Sequence, residues 1–291
     1  MTIVINGNLL AKEIYNVIKN KAKIISSNFR TLPSLATILI GSNASSEIYV
    51  KEKIKIAHQL GIKTELIRLE SNVSSEKLEY LIKFLNKKTD VTAILVQLPI
   101  PRHINPSIIF KSIDYKKDVD AFSVYNTGLL NHWEPKIMPC TPQGILFVLK
   151  KYIKNLCGKK VLILGRSIIV GRPMSSILIQ ESCTVTIAHS KTREIQKECK
   201  SADIVIAATG TPNLVKASWI KKGAFVIDVG INRVDQKLVG DIDFSNILGI
   251  ASYVTPVPGG IGPLTIANLM LNIYRLFYIQ NNINDRDLFI K

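Results

Sequence analysis

Tyr49 and Lys53 stand four residues apart in SSEIYVKEKIKIAHQLG. On a helix that spacing puts an aromatic ring and an ammonium group on one face, beside an apolar stripe of Val50, Ile54 and Ala57 that Gly61 terminates. A lysine can give or accept a proton and a tyrosine ring can stack on a flat ligand, although an ordinary amphipathic pair has the same spacing. Gln97 closes the apolar run TAILVQLP. A polar amide at the carboxyl end of a buried strand sits where α/β sheets place ligands, and where a structural amide also fits. Asp120 in KKDVDAF is a loop carboxylate, free to hold a ligand or to cap a turn. In TPVPGGIGPLT, residues 255–265, three prolines and three glycines share eleven positions. So stiff and bare a backbone suits the wall of a flat ligand's site better than a simple connection.

A second set of residues points to a dinucleotide. The apolar run KKVLILG leads into Gly165-Arg-Ser-Ile-Ile-Val-Gly171 and then into a helical stretch. A glycine at the strand end permits the tight turn, and a helix N-terminus presents N–H groups to a pyrophosphate. The fit to G-x-G-x-x-G is imperfect: Ser167 takes the place of the second glycine and the last glycine comes one residue late. The next strand, CTVTIAH, ends in His189, Ser190 and Lys191, without the carboxylate that grips the ribose hydroxyls of NAD. With Arg166 in the turn, this favours the 2′-phosphate of NADP over a merely solvated basic turn. Gly210 and Gly230 end later strands, where backbone can approach the nicotinamide side.

Strand-like runs alternating with helical periods must position these groups, the pattern of α/β layers on a mostly parallel sheet. The first half offers strands at 34–41, 64–70 and 92–99, with helices from near Ser46 and at 74–87. The second offers a helix to about Tyr152, capped by Thr141 with Pro142 in its first turn, then strands at 159–165, 183–189, 203–210 and 224–230. The predicted fold is two α/β domains with a ligand cleft between them, the second of Rossmann type and NADP-binding. Residues 1–140 form the catalytic domain, completed by a C-terminal helix at 263–291, and residues 141–262 form the Rossmann-type domain.

The chain has 291 residues and a formal net charge of +16, which raises anionic partners. Its lysines are scattered over helices rather than gathered with aromatics, so a phosphate-bearing or polyanionic small molecule is expected and nucleic acid is not. Four cysteines lack any C-x-x-C pair or zinc-ligand spacing, so no metal is expected. The N-terminus lacks a signal-peptide pattern, and Arg275 interrupts the longest apolar run before it reaches the ~20 residues of a membrane span. A soluble, cytoplasmic protein without membrane partners is expected.

YVKEK, VQLPIP, KDVDAF, PCTPQG, GRSIIVGRPM, DVGIN and TPVPGGIGPLT occur in this order over nearly the whole chain. Together they resemble the bifunctional methylenetetrahydrofolate dehydrogenase and methenyltetrahydrofolate cyclohydrolase family. The resemblance implies oxidation of 5,10-methylenetetrahydrofolate with NADP⁺ and then hydrolysis to 10-formyltetrahydrofolate, in one-carbon metabolism that serves purine biosynthesis. It implies a catalytic group of Lys53, Tyr49, Gln97 and Asp120: Lys53 as proton carrier, Tyr49 stacking on the folate with Ser46 nearby, Gln97 tuning Lys53, and Asp120 holding the pterin. It further places NADP on Gly165, Arg166, Ser167, Ser190 and Ile231, lines the cleft with Pro258, Gly259, Gly260 and Gly262, sets Thr265 at the start of the closing helix, and implies a homodimer. Where the family usually has glycine after the pterin aspartate, this chain has Ala121. The alternatives are an NADP-dependent dehydrogenase of another small substrate and a non-catalytic binding protein of the same fold.

Overall fold

The computed structural model describes residues 1–29, 31–235 and 237–283. In chain order the elements are β1 (Ile3–Val4), α1 (Gly7–Asn28), β2 (Ser34–Ile40), α2 (Ala44–Gln59), β3 (Lys63–Leu69), α3 (Ser75–Lys87), β4 (Ala93–Val96), α4 (Pro106–Ser112) and α5 (Val124–Asn131). There follow α6 (Cys140–Tyr152), β5 (Lys160–Leu164), α7 (Gly171–Gln180), β6 (Thr184–Ala188), α8 (Ile195–Ser201), β7 (Ile204–Ala207), β8 (Phe225–Asp228), β9 (Asn232–Val234), β10 (Lys237–Val239), α9 (Phe244–Ile247), β11 (Tyr253–Val254) and α10 (Ile261–Gln280).

The chain forms two compact units. One comprises Glu13–Leu129, Pro135–Met138 and the described residues from Leu269. Its sheet is parallel, in the order β3-β2-β4. The middle strand SLATILI is buried at all seven positions, the continuous apolar run expected of a parallel strand covered on both faces. Edge strand β3, KTELIRL, instead mixes charged and apolar residues and is buried at no position. Ile38, Ile82, Leu85, Ile94 and Ile109 belong to the core packed beneath α3 and α4. In the second half of α10 residues 271–278 are buried, and the helix is tied into this unit by Tyr274, whose hydroxyl donates to the Leu60 carbonyl at 2.5 Å, and by Gln280, whose amide donates to the carbonyls of Thr92 and Lys116. The remainder of the helix expected at 263–291, residues 284–291, lies outside the described residues.

The other unit comprises Met1–Lys12, Leu130–Glu134 and Pro139–Asn268. Its sheet runs β1-β11-β8-β7-β5-β6, with every pairing parallel. From β5 the chain adds β6 on one side and then crosses to β7 on the other, which makes the carboxyl ends of β5 and β7 a topological switch point.

Two sequence expectations change. Ile3 and Val4, expected with the first domain, pair instead with Tyr253 and Val254 as the last strand of the six-stranded sheet. A two-residue strand is too short to leave a periodicity in the sequence. Thr141 does not cap α6 from outside: the helix begins at Cys140, and the Thr141 hydroxyl lies 2.9 Å from that of Thr265. Among the described residues, no helix is long and apolar enough to cross a membrane.

Candidate functional site

Helix α2 begins just past the carboxyl end of β2, and its start follows from Asn43, whose side chain accepts the Ser46 N–H at 3.0 Å. From there Ser46, Val50, Lys53 and Ala57 fall on one buried face. An alkyl-ammonium chain on that face is unusual, and Lys53 is only 6% exposed. Its Nζ donates to Gln97 Oε1 at 2.9 Å and lies 4.7 Å from the centroid of the Tyr49 ring. Gln97 follows β4, the strand beside β2, so the parallel sheet delivers lysine and amide to the same end. The Gln97 Nε2 donates to the Leu98 carbonyl at 2.6 Å, which commits the amide nitrogen and aims its oxygen at the ammonium. Tyr49, Lys53 and Gln97 thus come together, the lysine and the amide buried and the aromatic ring half-buried beside them, an arrangement able to hold and orient a proton.

Asp120 lies on a turn built from both sides. Residues 117–118 run parallel to β4, with Ile94 bridged to Asp118, so the turn leaves the sheet at the end where Gln97 leaves it. The buried Asp118 carboxylate accepts the Ser123 N–H at 2.7 Å and the Asn126 side-chain amide at 3.0 Å; burial pushes its pKa up while these donors oppose the shift. On the other side the Asn272 amide donates to the carbonyls of Val119 at 2.9 Å and Met138 at 2.8 Å. Asp120 itself is half-buried. The sequence reading missed Asp118, Asn126 and Asn272, although an asparagine in so apolar a helix as IANLMLNIYRLFYI was a visible signal.

Ala121 has φ +59°, the left-handed conformation that glycine adopts freely. Strain of about 1–2 kcal/mol is expected there. Ala121→Gly would relieve it, against roughly 0.5–1 kcal/mol of added chain entropy and about 0.8 kcal/mol for the buried methyl. The variant is expected to unfold in urea within about 0.5 kcal/mol of the parent. A loss above roughly 1.5 kcal/mol would mean that no strain is relieved.

The dinucleotide turn is equally specific. Gly165 has φ +116°, and a Cβ there would come 2.2 Å from the Ala208 carbonyl oxygen, at the end of β7. A Cβ on Gly171 would come 2.0 Å from the Gly165 carbonyl oxygen. Both outer glycines are therefore required by close backbone packing. Ser167, in the middle place, accepts the Val170 N–H on its hydroxyl at 3.1 Å and the Arg172 N–H on its carbonyl at 3.0 Å, so it folds the turn that leads into α7. Leu164 and Ala188 are paired, and the Gly165 N–H donates to the Ala188 carbonyl at 2.8 Å. Arg166 and Ser190, each two residues beyond that pair, are both exposed at neighbouring strand ends. The His189–Thr192 turn is closed by its own hydrogen bonds and contains no carboxylate. A bare turn, an exposed arginine and a basic second strand end fit a dinucleotide carrying a 2′-phosphate.

The remaining residues are placed more variously. Ile231 is 61% exposed beyond β8. Pro258 is exposed and Gly259 half-buried, whereas Gly260 is buried, and its carbonyl oxygen lies 1.7 Å from where a Cβ on Gly7 would be. That contact requires the bareness of Gly7, whereas a Cβ on Gly260 would come 2.4 Å from the Pro256 carbonyl oxygen, so part of the bareness of TPVPGGIGPLT serves the folding of the loop itself. The Thr265 hydroxyl meets Thr141 and the Ile261 carbonyl. Among the described residues, no group of three or more His, Cys, Asp or Glu side chains could hold a metal ion.

Residues 5–120 match the tetrahydrofolate dehydrogenase/cyclohydrolase catalytic domain, and residues 139–281 match the NAD(P)-binding domain of the same family. A bifunctional protein FolD from Wolbachia sp. subsp. Drosophila simulans is 46% identical over 286 residues, covering 98% of each chain. The crystal structure of the bifunctional enzyme FolD, methylenetetrahydrofolate dehydrogenase/cyclohydrolase, from Campylobacter jejuni superposes with a TM-score of 0.92 at 40% identity, over 96% of this chain and 100% of that one. The Trypanosoma brucei enzyme, complexed with NADP and an inhibitor, gives a TM-score of 0.91 at 36% identity, over 96% and 98% of the two chains. By two family domains that together span most of the sequence, and by full-length likeness to such relatives, the chain belongs to the tetrahydrofolate dehydrogenase/cyclohydrolase family.

Proposed function

We propose that this protein oxidises 5,10-methylenetetrahydrofolate with NADP⁺ and hydrolyses the methenyl product to 10-formyltetrahydrofolate, with Lys53 as the proton carrier of the second step. The observation that carries this is the buried Lys53 ammonium, 2.9 Å from Gln97 Oε1 and over the Tyr49 ring. Gln97 orients the amine without adding a negative charge, and Tyr49 offers a face on which a folate ring stacks. Asp120, presented by its two-sided turn, accepts hydrogen bonds from the pterin, with Ser46 beside the folate. Pro258, Gly259, Gly260 and Thr265 complete the substrate side.

When bound, NADP⁺ supplies the two-electron acceptor for the oxidation. Gly165, Ser167 and the start of α7 receive its pyrophosphate, Arg166 and Ser190 its 2′-phosphate, and Ile231 its nicotinamide end. In the hydrolytic step the Lys53 ammonium first releases its proton to solvent; water then adds its oxygen to the bridge carbon of the methenyl cation and gives a proton to the neutral Lys53 amine. The carbon–N5 bond then breaks, N5 gains a proton as the hydroxyl loses one, and the formyl group remains on N10; one proton is released overall. The family likeness also supports a homodimer in the cytoplasm that supplies one-carbon units to purine biosynthesis.

The test mixes the purified protein with 5,10-methylenetetrahydrofolate and NADP⁺, following nicotinamide reduction and resolving the folate products. Reduction with accumulating 10-formyltetrahydrofolate is the expected result. Reduction that stops at the methenyl compound, beyond its spontaneous hydrolysis, would remove the second activity. No reduction with NADP⁺ or NAD⁺ would leave only the fold in common with the family.

A further inference from the structure

Two carboxylates at the carboxyl end of the six-stranded sheet are buried, Asp241 at 0% and Asp228 at 2% exposure, and the chemistry above uses neither. Asp241 Oδ2 accepts the Thr209 N–H at 2.5 Å, the Thr209 hydroxyl at 2.9 Å and the Gly210 N–H at 3.0 Å. Its Oδ1 accepts the Asn232 side-chain amide at 2.9 Å. The Asp241 N–H in turn donates to Asp228 at 2.9 Å, and Asp228 also takes the N–H groups of Gly230 and Ile242, each at 3.0 Å. The loop after β7, the loop after β8 and the segment after β10 are therefore joined through one pair of side chains.

The backbone is bare where these side chains pass. A Cβ on Gly230 would come 2.2 Å from Asp241 Oδ1, and one on Gly240 would come 1.8 Å from Asp228 Oδ2. All of these donors are backbone or neutral side-chain groups, so each buried charge is compensated by aimed N–H and O–H bonds. Burial, with the charge of Asp241 adding to it, pushes the Asp228 pKa up to about 6. The tethered loops lie at the switch-point end of the sheet, where doubly wound folds bind ligands. Ile231 projects between two anchored residues, Gly230 and Asn232, while Gly210 has open space around it.

We propose that Asp241 is a positioning residue of the dehydrogenase reaction, fixing the loops that carry Gly210 and Ile231 against the nicotinamide end of NADP. The proposal rests on NADP lying at this end of the sheet, as put forward above. The bifunctional chemistry supplies the control, because hydrolysis of the methenyl compound can be assayed without nucleotide.

Asp241→Asn turns one acceptor oxygen into a donor that faces other donors. Its kcat/KM for NADP⁺ is expected to fall about 10–100-fold through misplacement of the loops, with nucleotide-free hydrolysis within about twofold of the parent. Asn232→Ala removes a single donor around an intact carboxylate and is expected to change the dehydrogenase alone, by a smaller factor. Arg166→Ala, measured alongside, is expected to weaken NADP⁺ more than NAD⁺. Loss of both activities together in Asp241→Asn, with Asn232→Ala changing neither, would make the role structural and overturn the proposal. An unchanged dehydrogenase in Asp241→Asn beside weakened NADP⁺ binding in Arg166→Ala would overturn the positioning role while leaving the cofactor site standing. Undiminished NADP⁺ binding in Arg166→Ala would overturn the placement of the cofactor, and the proposal with it.

Discussion

Lys53→Ala is expected to abolish hydration of 5,10-methenyltetrahydrofolate, with a loss of about 10²–10⁴-fold, while NADP⁺ binding survives. The magnitude is that of one well-placed proton carrier, and Lys53 is held as such a group: 6% exposed, bonded to Gln97 and over the Tyr49 ring. Lys53→Arg separates proton transfer from charge. Arginine keeps the cation but does not deprotonate at neutral pH, so it too is expected to be inactive in hydration. Stopped-flow measurement of methenyl decay, corrected for the spontaneous reaction, gives the rates. Undiminished hydration in the alanine variant would remove the role, and activity in the arginine variant alone would make the contribution electrostatic.

Gly165→Ala is expected to produce the converse pattern, a fall of about 10²-fold in kcat/KM for NADP⁺ with hydration retained. The new methyl would sit 2.2 Å from the Ala208 carbonyl oxygen, at a φ of +116° that alanine does not adopt without strain. Backbone lies on the far side of the clash, so the turn between β5 and α7 must open. Isothermal titration with NADP⁺, beside the nucleotide-free hydrolysis rate, reads both halves. Equal loss of the two activities would point to general unfolding, and unchanged affinity would mean that the turn does not hold the pyrophosphate. Together the two variants separate the two halves: the first is expected to lose hydration and keep NADP⁺ binding, the second to weaken use of NADP⁺ and keep hydration.

Much of the site was legible because it rests on local rules. The i, i+4 spacing of Tyr49 and Lys53 puts them on one helical face wherever α2 packs, and an amide that ends a buried strand is exceptional in any sheet. Gly165 and Gly171 were readable because a tight strand-to-helix turn excludes side chains, a requirement visible in single residues. Ser167 looked like a defect in the motif and is a part of the turn, since its hydroxyl supplies a hydrogen bond that a second glycine would lack.

Other features were illegible, each for a reason of sequence distance. Asp241 reads as one carboxylate in GDIDF, and nothing near it announces Thr209, thirty-two residues away. Asn272 holds the turn before Asp120 across 153 residues. The strand β1 is two residues long and has meaning only beside β11.

The sequence by itself determined the α/β alternation, the basic turn without a carboxylate at the end of β6, and which residue types are available for chemistry. Backbone propensity, burial periodicity and charge act over one or two turns of chain, so these are written locally. Only the tertiary structure decided that the Lys53 ammonium meets the Gln97 oxygen, that Ala121 occupies a left-handed conformation, and that Asp228 and Asp241 gather the loops beyond β7 and β8. Each of these depends on strand order and register, which are set by the packing of the whole sheet.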